Sequence, residues 1–317
     1  MFKRSTLSKW LTIGAVSGFA LTLGAACGKK KTESDAQAAA AAGSDAPAQG
    51  KKQSIQNIGS DTMVNLAQAW AEEYSKIVPG VSVEVSGGGS GVGIAALING
   101  TADIANSSRH LEPEEVEKAK KHNGKEPTQF TVGFDGLAIY VHKSNPLNEI
   151  SMEDLAEIYK EGGKINKWSE VGVKGIPGSK SDEVIRISRQ NNSGTYHYFR
   201  ETVVGKKNDF KSGSLDMNGS KDVVEQVAKT PGAIGYSGLG YATPEVKILK
   251  VAKKKGEPGV LPSIATVHDK SYPISRPMFM YTPGEPTAIA KKYIDWILSD
   301  AGQKIVEKTG YVPLPKP

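Results

Sequence analysis

The chain has 317 residues, a formal net charge of +6 and one cysteine. A single cysteine excludes an internal disulfide framework. The charge does not imply nucleic acid either: three positive charges fall on Lys3, Arg4 and Lys9, and two more in residues 28–54, where five lysines meet Glu33, Asp35 and Asp45. About +1 is left for the rest, which excludes a broad basic face.

Residues 1–26 read as a signal peptide. Lys3, Arg4 and Lys9 form a basic start, Leu11 to Leu23 is an apolar run too short to span a bilayer comfortably, and Gly24, Ala25 and Ala26 precede Cys27. A lone cysteine directly after such a cleavage site resembles the lipidated first residue of a bacterial lipoprotein. The position three before it is Gly24 rather than the usual aliphatic residue, with Leu23 one step further out. Residues 27–54, rich in Ala, Gly, Ser, Lys and Gln, have little to bury and are expected to be a flexible tether. The part from Ile55 onward exceeds the usual single-domain size, so two lobes are expected.

Ile55 and Ile58 predict a short strand leading to Gly59-Ser60-Asp61-Thr62. Met63, Leu66, Ala67, Trp70, Tyr74 and Ile77 then recur at helical spacing until Pro79-Gly80. Val81, Val83 and Val85 alternate as a strand, and Ser86 to Gly93 opens a helix running to Asn99-Gly100. A strand over Ala102–Asn106 ends at Ser107-Ser108-Arg109, and a solvated helix begins with Glu112-Pro113-Glu114-Glu115. Strands are expected at Leu137–Val141, Val184–Ile187, Ala233–Tyr236 and Met278–Tyr281, and helices at Met152–Tyr159, Ala288–Leu298 and Gly302–Lys308. This alternation argues an α/β fold with a largely parallel sheet.

Four segments share one design, a strand ending in small polar residues: Ser60-Asp61-Thr62, Ser86 to Gly93, Ser107-Ser108-Arg109, and Arg189 to Thr195. Ligands of open α/β sheets sit outside the carboxyl ends of strands, and three of these segments also open helices, whose free N–H groups attract anions. Arg189 adds a guanidinium fork, Ser193 and Thr195 add hydroxyls, and Gly194 permits close backbone approach. A tetrahedral oxyanion fits that chemistry. Ser86 to Gly93 does not fit a Walker loop, because the Gly-Lys-Ser/Thr ending is absent, and a dinucleotide fingerprint fits it poorly. His110, His122, His142, His197 and His268 lack zinc-ligand spacing, so no metal or other cofactor is expected. Ser193 lacks a nucleophile elbow, and no catalytic residue is assigned. Tyr236 and Trp168 are expected to pack or to line a lobe.

Gly59-Ser60-Asp61-Thr62, Gly88-Gly89-Ser90-Gly91, Ala105 to Arg109, Asp135-Gly136-Leu137-Ala138, Asn166-Lys167-Trp168, Ser193-Gly194-Thr195, Gly232 to Tyr236, Pro273 to Pro277 and Gly310 to Leu314 occur in that order. This series resembles the PstS family of phosphate-binding proteins, over roughly Ile55 to Pro315. The resemblance implies a two-lobed periplasmic-binding-protein fold with two crossover strands and a central cleft that closes on phosphate. The expected division is residues 55–140 plus 277–317 for the first lobe and 141–276 for the second. Carried over residue by residue, the contacts fall on Thr62, the Met63 amide and Ser90 in the first lobe. In the second lobe they fall on Arg189, Ser193, the Gly194 backbone and Thr195. Ser60 and Asp61 share the first loop.

One position departs from the family. Where well-known members carry an aspartate that accepts the proton of phosphate and repels sulfate, this chain has Ser108, followed by Arg109. Asp61 and Asp135 are the candidates to replace that acceptor, Asp61 being equally suited to cap a helix and Asp135 to hold a hinge. Asp135 is preferred, because a crossover strand can aim one residue into the cleft. Arg109 is expected either to meet the anion or to clamp an acid across the cleft. The implied function is a non-enzymatic, monomeric phosphate receptor in the periplasm or at the cell surface, anchored by lipid at Cys27. It would deliver phosphate to the permease and ATPase subunits of an ABC importer. The alternatives are a receptor for sulfate or molybdate, a secreted phosphatase, and a sensory module, which the missing signalling domain disfavours.

Overall fold

The computed structural model describes residues 53–316. The expected signal peptide, the lipidation at Cys27 and the tether through residue 52 lie outside the described residues. Gln53 and Ser54, expected to end the tether, already belong to the first strand.

In chain order the first lobe opens with β1 (Gln53–Gly59), α1 (Val64–Ile77), β2 (Val81–Ser86), α2 (Ser90–Ile98), β3 (Ile104–Ser107) and α3 (Pro113–Asn123). A long strand, β4 (Thr128–His142), then leads to β5 (Glu149–Ser151), α4 (Met152–Tyr159), β6 (Ile185–Arg189) and α5 (Gly194–Phe199). β7 (Leu215–Met217), α6 (Ser220–Lys229), β8 (Ala233–Gly238), β9 (Val246–Ile248), β10 (Lys250–Ala252) and α7 (Ile264–His268) follow. The chain returns through β11 (Ser275–Thr282) and closes with α8 (Ala288–Leu298) and α9 (Asp300–Lys308).

Local chemistry accounts for most boundaries. Leu66, Ala67, Trp70 and Tyr74 give α1 one buried stripe. Ser151 caps α4 by accepting from the Asp154 amide. α3 starts at Pro113 and stops at Gly124, whose φ of 70° is left-handed.

The principal sheet runs β2-β1-β3-β11-β4-β8-β6-β7. β1 lies parallel to β2 and β3, and β6 parallel to β7 and β8, but β4 and β11 run antiparallel to their neighbours. The sheet is therefore mixed rather than largely parallel. The reason is β4, of which only the buried half from Leu137 was expected: at fifteen residues it serves both lobes. Residues 128–136 pair with β11, and residues 137–142 pair with β8 and β9. The lobes are thus joined by β4 and by the segment entering β11.

Each lobe has its own core. The first gathers Leu66, Trp70, Met280, Tyr293, Ile294 and Val306; the second gathers Leu155, Trp168, Phe199, Val204, Ile234 and Tyr236. Trp168 and Tyr236 are fully buried packing residues, and the Trp168 indole donates to the Gly232 carbonyl at 2.9 Å. The Phe199 and Tyr236 rings stack with centroids 3.8 Å apart. Among the described residues no helix is long and apolar enough to cross a membrane.

Phe199→Ala would empty the ring's place in this second core. It should cost about 3–5 kcal/mol of stability, read as a lower urea midpoint with an unchanged slope.

Candidate functional site

The carboxyl ends of β1, β3 and β6 meet at the junction of the lobes. Gly59 makes the approach of the first two strands feasible: its φ is 143°, and a Cβ there would lie 2.2 Å from the Asn106 carbonyl oxygen. Ser60 follows, its amide donating to that same carbonyl at 2.8 Å. The Ser60 hydroxyl donates to Ser108 Oγ at 3.0 Å. The Ser108 amide donates to Ser90 Oγ at 3.0 Å, and the two hydroxyls lie 3.3 Å apart. Three first-lobe hydroxyls, from β1, α2 and β3, thereby form one buried cluster.

The second lobe presses its own turn onto that cluster. A Cβ on Gly194 would sit 2.3 Å from Ser90 Oγ and 2.6 Å from Ser108 Oγ, so no larger residue permits this approach. Thr195 Oγ1 lies 2.8 Å from Thr62 Oγ1, a direct bond between the lobes. Ser193 caps α5, its hydroxyl accepting from the Thr195 and Tyr196 amides. Beside them Asn192 clasps the glycine-rich loop. Its carbonyl accepts from the Gly91 amide, and its side-chain amide donates to the Gly88 carbonyl, both at 3.0 Å.

Two buried arginines flank the hydroxyls. Arg189, fully buried at the end of β6, donates through Nη1 to Ser220 Oγ and through Nη2 to the Asn218 carbonyl and to Asp61 Oδ2, the last at 2.8 Å. Its Nε is buried without a partner. Burial pulls the Arg189 guanidinium below its ordinary value, and Asp61 opposes that. Burial also lifts the Asp61 carboxyl above the usual range; Arg189 opposes this and Asp222 adds to it. Asp61 therefore forms an ion pair across the lobes instead of capping a helix by a side-chain bond.

Arg276, at the start of β11, is a candidate site residue to which the sequence reading gave no role. It is 2% exposed, and it donates through Nε and Nη2 to Asp135 Oδ2 at 3.2 and 2.9 Å. Nη1 reaches the Ser108 carbonyl, while Nη2 also reaches Thr62 Oγ1 at 3.3 Å and Thr195 Oγ1 at 2.9 Å. The other Asp135 oxygen accepts from the Leu239 amide at 3.1 Å. Asp135, fully buried, thus stands behind the guanidinium with both oxygens engaged. One available signal was charge parity: a buried aspartate on a crossover strand demands a cation.

Not every expected residue converges. Arg109 neither joins the cluster nor clamps an acid across the cleft. Its guanidinium forks onto both oxygens of Glu115, six residues on in its own lobe, at 2.8 Å each, and also donates to the His110 carbonyl. Six residues is the reach of a strand end to the first turn of α3, so the local partner prevails. The Met63 amide donates to the Ser60 carbonyl, and its side chain lies in the first core. His197 Nε2 donates to the Asn191 carbonyl, and burial, reinforced by Arg109, pulls its pKa down. Among the described residues no group of His, Cys, Asp and Glu is arranged to hold a metal ion.

A hinged pair of α/β lobes with hydroxyls and guanidinium groups at their junction defines a solute-binding protein of the periplasmic type. The family described as a PBP superfamily domain matches residues 35–301. The phosphate-binding protein PstS of Pseudomonas aeruginosa is 34% identical over 278 residues, covering 84% of this chain and 85% of that protein. Protein SphX of Synechococcus elongatus is 33% identical, covering 81% and 76%. A phosphate ABC transporter substrate-binding protein from Clostridium perfringens, solved with bound phosphate, superposes with a TM-score of 0.74 at 30% identity, covering 83% of this chain and all of that one. A phosphate transport receptor from Vibrio cholerae gives 0.64 at 27% identity, with 82% and 100% covered. This chain belongs to the PstS family.

Removing one partner of the buried Asp135–Arg276 pair strands a charge in a low-dielectric interior. Asp135→Asn should therefore destabilise the protein by about 3–5 kcal/mol, measured by urea unfolding; a change near zero would show that Arg276 finds another counter-ion.

Proposed function

We propose that this chain is the extracytoplasmic receptor of a phosphate ABC importer, holding inorganic phosphate between its lobes without catalysing a reaction. The observation that carries the reading is the convergence of Ser60, Thr62, Ser90 and Ser108 from one lobe with Gly194 and Thr195 from the other, flanked by Arg189 and Arg276. Each hydroxyl can turn its hydrogen from a neighbouring hydroxyl to an anion oxygen. Both guanidinium groups already have a carboxylate partner, Asp61 or Asp135. The site therefore holds an oxyanion mainly through donors fixed in place, with little net positive charge.

Selectivity follows from the same census. Asp135 is occupied by Arg276 and Leu239, so in this reading it positions the guanidinium and does not accept the proton of phosphate. The acceptors facing the anion are serine hydroxyls, which donate as readily as they accept. Discrimination against sulfate should then be weaker than a dedicated carboxylate would provide. Lobe closure commits the ligand, and reopening at the permease releases it. Anchoring at Cys27 would keep the receptor beside that permease, so Cys27→Ser should move the protein from the membrane fraction to the soluble one.

Titration calorimetry with phosphate, sulfate and molybdate tests the central claim. Phosphate should bind at one site per chain, and Thr62→Val or Thr195→Val should weaken it roughly 10- to 100-fold, the loss of one hydrogen bond to a charged ligand. Sulfate or molybdate binding tighter than phosphate would reassign the ligand. Turnover of a chromogenic phosphate ester would reassign the class.

A further inference from the structure

The glycine-rich loop before α2 is met from the opposing lobe by Asn192, a residue outside the hydroxyl cluster. α2 opens at Ser90 after Gly89, which has no side chain to cap it, and no side-chain cap is made. The first amides of such a helix need acceptors from elsewhere. One of them finds its acceptor in the second lobe: the Gly91 amide donates to the Asn192 carbonyl at 3.0 Å. The Asn192 side-chain amide donates back to the Gly88 carbonyl, also at 3.0 Å. The start of a first-lobe helix is thereby capped across the cleft.

Each half of this contact is fixed within its own lobe. The Ser193 amide donates to the Gln190 carbonyl at 3.0 Å, and His197 Nε2 donates to the Asn191 carbonyl at 2.8 Å, which braces the turn that carries Asn192. On the facing side the Gly89 amide donates to the Gly59 carbonyl at 3.0 Å. The approach is close enough to need glycine. A Cβ on Gly89, at a φ of 101°, would lie 2.8 Å from the Asn192 carbonyl oxygen, and one on Gly91 would lie 3.2 Å from it. Asn192 is half-buried, whereas Ser193, Gly194 and Thr195 beside it are buried. The Thr62–Thr195 and Asp61–Arg189 contacts also cross between the lobes, but they use residues assigned to the anion or to its guanidinium. The two bonds of Asn192 go to backbone alone.

We propose that Asn192 is a closure latch, a positioning residue that leaves the anion untouched and sets how long the closed lobes hold it. The inference rests on the reading of the cluster as an oxyanion site that lobe closure completes. Separating the lobes breaks both bonds and hands the Gly91 amide and the Gly88 carbonyl to water. Their contribution therefore enters only in the closed state. Weakening them speeds opening and release, while encounter of the anion with the open protein is unaffected.

The test is stopped-flow binding and release of inorganic phosphate by the whole chain, compared with Asn192→Ala and Asn192→Asp. Asn192→Ala removes the donor to Gly88 and keeps the backbone acceptor. Release should quicken about 5-fold, the scale of one hydrogen bond, with association within ~2-fold of the unsubstituted protein. Asn192→Asp sets a carboxylate against the Gly88 carbonyl and should quicken release further. Urea midpoints measured without phosphate should stay unchanged in both, because the latch stabilises only the closed form. Unchanged release in both variants overturns the proposal, as does a loss confined to association. A lower midpoint without phosphate also overturns it, since Asn192 would then support its own lobe. Binding of sulfate or molybdate in place of phosphate overturns the phosphate reading alone, and the same split of rates, read with that anion, then decides the latch.

Discussion

The ion pair between Asp135 and Arg276 is the constraint on which the rest of the site depends. The two residues face each other in register on antiparallel strands, at the point where β4 changes partners and β11 begins. Neither is affordable alone in that interior, since an isolated buried charge costs several kcal/mol. Paired, they fix a guanidinium whose remaining hydrogens reach the Ser108 carbonyl and Thr62 in one lobe and Thr195 in the other. The hinge strands and both walls of the cleft are therefore coupled through one side chain. Tyr198 adds to this by stacking near the guanidinium and donating its hydroxyl to the Ser275 carbonyl.

A second consequence is electrical. Asp61 does for Arg189 what Asp135 does for Arg276, but across the lobes and with its carboxyl partly open to solvent. The lobe junction thus holds two buried guanidinium groups, each with a carboxylate partner, and stays close to neutral. Buried guanidinium groups without counter-ions would repel one another and resist closure. Hydroxyl and amide donors can then set the geometry, and the glycines set how near they come. At Gly194 and Gly89 a Cβ would lie within 3 Å of atoms on the opposing lobe.

Much of the site was legible before the fold was known. Ser60, Thr62, Ser90, Ser108, Gly194 and Thr195 stand at strand ends or helix starts, and both are readable from local spacing and residue type. Ion pairing was less legible. Arg109, expected either to meet the anion or to clamp an acid across the cleft, pairs with Glu115 in its own lobe, and Asp135, expected as an acceptor or a hinge residue, pairs with Arg276. Arg276 stood inside a recognised motif without a role, because nothing in Ser-Arg-Pro distinguishes a buried guanidinium from a surface one. The parallel sheet was overextended for a similar reason: the outer half of β4 is only partly buried and lacks the apolar run that marked Leu137–Val141.

By itself the sequence determined the alternation of strands and helices, the small polar residues at their ends, and hence an oxyanion-binding α/β protein. Those features depend on propensity, periodicity and capping, which act within a few residues. Only the tertiary structure decided which acid answers which arginine and which hydroxyls touch. Arg276 meets Asp135 across 141 positions, and Thr62 meets Thr195 across 133. Such partnerships follow from how strands cross and from the cost of leaving a buried charge alone, and no local pattern encodes either.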